Sequence, residues 1–113
     1  MYRQISQGAD SVDIAKTLHS LAHNYSDIKQ YNKSENYYLQ ALSMFTRIPQ
    51  GADNVNIAIT LNNLAQNYRH MKQYIKAEDY YLLALFMYRQ ISQGADSVNI
   101  AITLNNLANN YKI

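Results

Sequence analysis

The sequence predicts an all-α solenoid of antiparallel helix pairs, and three observations carry that expectation. Structure breakers are scarce: the 113 residues include 3 Gly and 1 Pro, too few for the many turns of a β fold. The chain repeats itself, with Gly8, Gly51 and Gly94 standing 43 residues apart, each inside the string QGAD. Within each repeat, apolar residues return every three or four positions, the spacing of an amphipathic helix.

The duplication is extensive. Residues 1–43 match 44–86 at 25 positions, and residues 1–25 match 87–111 at 20. Helix pairs repeated at a fixed period stack so that each pair covers its neighbour's apolar face. Taken in order, the chain opens with a short helical stub over about 1–7, followed by a helix over about 11–28 and another over about 31–48. The next helix, about 54–71, carries its apolar stripe on Val55, Ile59, Leu61, Leu64, Ala65 and Tyr68, with Asp53 or Asn54 placed to cap its free N–H groups. A polar connector around His70 to Gln73 leads to a helix over about 74–91, marked by Tyr74, Ala77, Tyr80, Tyr81, Ala84, Leu85 and Tyr88. Gly94 stands where a left-handed C-terminal cap is expected. A last helix covers about 97–112. The carboxylates Asp10, Asp53 and Asp96 recur with the repeat and read as helix caps, while Glu35 and Glu78 recur inside the second helices and read as structural. The units are therefore placed at 11–53 and 54–96, with a partial unit at 97–113 and the partial helix 1–7 before them. That arrangement is expected of a fragment of a longer array.

Composition narrows the function. Apolar residues make up 48% and charged residues 16%, enough to bury a core and too apolar for a disordered tail. A net charge of +2 is too weak to imply a nucleic-acid partner. With 0 Cys there are no disulfides, thiolate metal sites or cysteine nucleophiles. No apolar run reaches the roughly 18 residues a membrane span needs, and the opening residues MYRQISQGAD lack a secretory signal's apolar stretch. A cytoplasmic setting is the default expectation.

Leu61, Leu64, Ala65, Tyr68, Ala77, Tyr81 and Ala84, with Tyr74 opening the second helix, resemble the small and large positions of a tetratricopeptide repeat. The first unit repeats them as Leu18, Leu21, Ala22, Tyr25, Ser34, Tyr38 and Ala41, with Tyr31; the third supplies Leu104, Leu107, Ala108 and Tyr111. The 43-residue period, with TLNNLAQNY in one helix and YIKAEDYYLLAL in the next, is similar to the longer kinesin light chain type. Lys29 and Lys72 stand where that family often has glycine between helices. The resemblance implies a right-handed superhelical array acting as a protein-interaction scaffold. It further implies close helix contacts at Ala22, Ala41, Ala65, Ala84 and Ala108.

The repeat bears directly on the candidate chemistry. His19, His23 and Asp27 share one helix face and could in principle hold a divalent metal, but their counterparts Asn62, Gln66 and His70, then Asn105, Asn109 and Ile113, make a polar surface stripe the expected reading. All three glycines belong to the QGAD strings, leaving no phosphate-cradling loop, and no nucleophile elbow is present. No enzyme activity and no cofactor are expected. Five tyrosines, Tyr25, Tyr38, Tyr68, Tyr81 and Tyr111, are assigned to the core, which argues against stacking on nucleic-acid bases.

The asparagine pairs Asn62–Asn63 and Asn105–Asn106 remain. Each amide offers both a donor and an acceptor, matching the backbone of an extended peptide. By the resemblance, Asn62 and Asn105 line the concave groove, as do Lys16, His19, His23, Gln66, Arg69, Asn109 and Lys112. Histidine takes up charge near pH 6.5, so this face is expected to be mildly basic. The expected partner is a protein or peptide segment, with neither nucleic acid nor membrane. The other reading is a structural spacer that associates end to end with its own copies.

Overall fold

The computed structural model describes residues 7–47, 54–92 and 97–111. Five helices follow one another: α1 (Gln7–Asp27), α2 (Tyr31–Arg47), α3 (Asn54–His70), α4 (Tyr74–Ser92) and α5 (Ser97–Asn110). The described residues contain no strand. These bounds agree closely with those expected from periodicity, except at the start. The stub expected over 1–7 lies outside the described residues apart from Gln7, which opens α1. The break expected around Gly8 is absent, because α1 runs straight through it. In a first turn the N–H groups have no intrahelical acceptor to lose, so glycine costs less there than in a helix interior. Asp10 consequently sits inside α1 and does not cap it. Gly51, Asp53, Gly94 and Asp96 lie outside the described residues.

The two turns inside the helix pairs are built alike. Gln30 N–H donates to Tyr25 O at 2.8 Å and Lys29 N–H to Ser26 O at 2.9 Å; Gln73 and Lys72 repeat the pattern on Tyr68 O and Arg69 O at 2.8 and 2.9 Å. These are Schellman caps, which need a left-handed residue. Lys29 and Lys72 supply it, at φ 63° and 64°, where glycine would be free of Cβ strain. A cation at a helix C-terminus is favoured by the helix dipole, which offsets part of that strain.

The pairs α1–α2 and α3–α4 pack closely, α2 meets α3 and α4 meets α5, while α1, α3 and α5 touch lightly in a row. Neighbour-only contact is the mark of a solenoid. Ala22, Ala65 and Ala77, all 0% exposed, let helices approach while Tyr38, Tyr68, Tyr81 and Leu64 fill the space around them. A second cluster joins Ala15, Ala41 and Phe45. Ser34 replaces the alanine found at position 77, and its buried hydroxyl donates to Ala22 O at 2.8 Å, so no polar group is orphaned there.

The expected core contacts hold for Ala22, Ala41, Ala65 and Ala84 and fail for Ala108. Ala108 is exposed and Tyr111 is 59% exposed, because no described helix lies against that side of α5. Tyr25 is half-buried and stacks on Tyr37, centroids 5.6 Å apart.

One further device recurs along the array. Asn67 Nδ2 donates to Tyr31 O at 2.9 Å, and Asn110 Nδ2 to Tyr74 O at 3.0 Å. Beside them, the Tyr68 hydroxyl donates to Glu35 at 2.7 Å and the Tyr111 hydroxyl to Glu78 at 2.6 Å. Each unit's second helix is thus tied at its start to the next unit's first helix. The repeating glutamates are structural, as the sequence suggested.

Candidate functional site

Because α1, α3 and α5 lie side by side, their outward residues form one face with three cavities. Lys16, His19 and Ser20 of α1 meet Asn56, Ile59 and Thr60 of α3 around a cavity of about 250 Å³, with Phe45 at its base. His19, Ser20, His23 and Asn24 meet Asn63 around another of about 330 Å³. Gln66, Arg69 and His70 of α3 meet Asn106 and Asn109 of α5 around a third of about 190 Å³, where Tyr81 reaches through from α4. Six of the nine expected residues line these cavities: Lys16, His19, His23, Gln66, Arg69 and Asn109. Asn62 is half-buried beside them, Asn105 is exposed on α5, and Lys112 lies outside the described residues.

Several of these side chains bind one another across the face. His19 Nε2 and Asn63 Nδ2 are 3.1 Å apart, a contact in which the amide donates to a neutral imidazole. Asn106 Nδ2 donates to Asn62 Oδ1 at 3.4 Å. Both bonds join residues 44 apart, so a position on one first helix pairs with the following position on the next. Arg69 Nη2 donates to Asn109 O at 3.3 Å, and its buried Nε has no partner among the described residues.

The face is less basic in mild acid than two free histidines would make it. Burial first, then the nearby His23, lowers the pKa of His19 below the ordinary 6.5. Its ring also packs edge-on to Tyr38, centroids 5.3 Å apart. Burial pushes the Tyr81 hydroxyl up to about 12, against a smaller opposing pull from Arg69, so it remains a neutral donor or acceptor at pH 7.

His23 Nε2 and Asp27 Oδ2 lie 3.8 Å apart in an exposed contact, and His19 turns to Asn63 instead of joining them. Among the described residues, no three His, Asp or Glu side chains gather as a metal site would require. None of the described helices is long and apolar enough to cross a membrane.

Sequence reasoning missed two groups. The asparagine pairing does not by itself place Asn63 and Asn106 on this face, and periodicity does not mark Ser20, Phe45 and Tyr81 as lining. Asn67 and Asn110 were overlooked as the inter-unit ties, although Asn24, Asn67 and Asn110 recur at the repeat period and could have signalled it.

No curated protein matches this chain. The family description Tetratricopeptide repeat matches residues 13–90 and, in a second register, 56–112. Such repeats generally serve as protein–protein interaction modules and are a non-enzymatic scaffold. With helix pairs stacked in register and the family pattern covering most of its length, the chain belongs to the tetratricopeptide repeat family.

Proposed function

We propose that this chain binds an extended peptide or protein segment along the face formed by α1, α3 and α5. The observation that carries the reading is the row of three cavities on that face, lined by amide, imidazole and guanidinium groups. Unlike a buried network, these groups keep part of their donor and acceptor capacity toward solvent. Lys16 and Arg69 favour acidic or neutral segments over basic ones. The 43-residue period and the strings TLNNLAQNY and YIKAEDYYLLAL support the kinesin light chain-like subtype, with units at 11–53, 54–96 and 97–113; a cytoplasmic setting is the default that goes with it.

Screening a library of acidic, neutral and basic peptides tests the reading. Lys16→Ala, Gln66→Ala and Asn105→Ala should each weaken the tightest ligand several-fold while leaving the melting temperature unchanged. Binding that none of the three disturbs, or a clear preference for basic peptides, contradicts it.

A second reading, end-to-end association with copies of the chain, rests on the side of α5 that no described helix covers, where Leu104 and Tyr111 are 42% and 59% exposed. Such a face marks an interaction site or an aggregation liability. Sedimentation at increasing protein concentration tests it: self-association that Leu104→Lys abolishes supports this reading, and a monomer at all concentrations removes it.

A further inference from the structure

A groove of about 560 Å³, larger than each of the three cavities described on the first-helix face, lies between the two helix-pair turns, at the edge of the array. It is lined by Tyr31 and Met71, by the amide-bearing Gln30, Asn32 and Gln73, and by Lys29 and Lys33. Lys72 stands between the lining residues Met71 and Gln73. Together with Lys76, these lysines recur at the repeat period, 29 with 72 and 33 with 76, and account for four of the chain's 10 Lys and Arg.

The groove lining itself is positive, holding Lys29 and Lys33 and no carboxylate. Among the described residues, none of the four lysines is paired with a carboxylate. The nearby acids Asp27, Glu35, Glu78 and Asp79 stand outside that lining; Asp27 lies 3.8 Å from His23, and Glu35 and Glu78 accept the hydroxyls of Tyr68 and Tyr111. The lysines are also held in place. Lys33 Nζ sits 5.4 Å from the centre of the Tyr25 ring and Lys76 Nζ 5.0 Å from that of Tyr68, distances at which a cation is attracted to the ring face. Lys29 and Lys72 occupy the left-handed caps, where their backbones are fixed by two hydrogen bonds each.

The aromatic groups here are already engaged. Tyr31 stacks on His70, centroids 5.2 Å apart and planes at 11°. Tyr25 has Tyr37 stacked against it besides Lys33, and Tyr68 has Tyr80 besides Lys76. Stacking platforms for bases, the basis of single-strand binding, are therefore largely used up. The combination that remains is positive charge, amide-bearing side chains and one apolar seat.

We infer that this turn-edge groove is a second docking surface, separate from the first-helix face, and that it takes an acidic protein segment bearing an apolar side chain. The acidic groups meet Lys29 and Lys33, and the apolar side chain rests on Tyr31 and Met71. Rim charges of this kind set specificity and salt dependence more than raw affinity, so binding should weaken steeply as salt is added.

The test uses the octapeptide EEDLEEDL as probe, with QQNLQQNL as its neutral counterpart, and reads backbone amide shifts of the labelled protein. The expected shifts concentrate at Lys29 to Lys33 and at Met71 to Gln73. The double variant Lys29→Gly, Lys33→Gln keeps the left-handed cap and should bind EEDLEEDL about tenfold more weakly, as two rim charges are lost, with its melting temperature no lower. The inference is overturned if EEDLEEDL does not bind, if QQNLQQNL binds equally well, or if the shifts fall on Lys16, Gln66 and Asn105 instead. It is equally overturned if oligothymidylate, or phosphatidylcholine vesicles containing phosphatidylserine, bind the groove more tightly than the peptide.

Discussion

Residues 55–65 and 98–108 carry the same eleven-residue string, VNIAITLNNLA, and both are helical, in α3 and α5. Their surroundings differ. In α3, Ala58, Leu64 and Ala65 are 0% exposed and Leu61 is 5% exposed. In α5, Ala101 and Ala108 are exposed and Leu104 is 42% exposed. The difference is the helix lying alongside: α4 covers α3, and nothing described covers the matching side of α5. Local propensity makes both segments helices. Neighbours decide which of them becomes core, as expected where helical stability comes mainly from tertiary packing.

The inter-unit ties teach the same lesson. Tyr68 to Glu35 and Tyr111 to Glu78 are the same bond at nearly the same length, yet Tyr68 is 2% exposed and Tyr111 59%. Burial first, then the bond to Glu35, raises the pKa of Tyr68; at Tyr111 the bond to Glu78 is the leading cause.

Substitutions at matched positions break or sharpen this comparison. The largest contrast is expected at the alanines. Ala65→Leu overpacks a closed contact and should cost about 1–3 kcal/mol, whereas Ala108→Leu should stay within about 0.5 kcal/mol, as surface changes do. Denaturant unfolding of the two variants measures both, and equal losses would mean that α5 is covered in solution. Next, Tyr68→Phe should cost about 1–2 kcal/mol by leaving Glu35 without its donor in a partly buried site, while Tyr111→Phe should leave the unfolding midpoint where it is.

Smaller effects are expected where the two units agree. Lys29→Gly and Lys72→Gly relieve a left-handed Cβ and lose a favourable cation at a helix end. The net change should be a gain of about 0.5–1 kcal/mol at each position, similar in size because the turns are the same; a loss at either would show that the lysine side chain contributes more than the strain removes. The smallest effect concerns pH. His19 is harder to protonate in the fold than in the unfolded chain, so the unfolded state binds more protons as pH falls through 6.5, and stability declines from there toward the lower folded value. Thermal melts across that range should show a shallow decline that His19→Asn, the residue its counterpart Asn62 carries, flattens.

What was legible in the sequence follows from the range over which each feature acts. Helix positions were readable because periodicity is local, and the first two units' close contacts because small residues at fixed spacing have few other uses. Ala108 and Tyr111 were misassigned to the core because their burial depends on a neighbour and not on their own string. The bridges from His19 to Asn63 and from Asn62 to Asn106 depend on the stagger between stacked units, which a repeat period alone does not reveal. Lysine carries no signal for a left-handed turn, so the cap geometry at Lys29 and Lys72 could be suspected only from the missing glycine.

Amide hydrogen exchange resolved to single residues tests the central claim most directly. Because α3 and α5 share the string VNIAITLNNLA, their unprotected exchange rates are closely matched, and any difference in protection reports packing. The account predicts that the amides of Leu61 to Ala65 exchange far more slowly than those of Leu104 to Ala108, since amides opened only by larger unfolding events are the best protected. Equal protection in the two segments would contradict it, showing that the covering helix does not decide which copy forms the core.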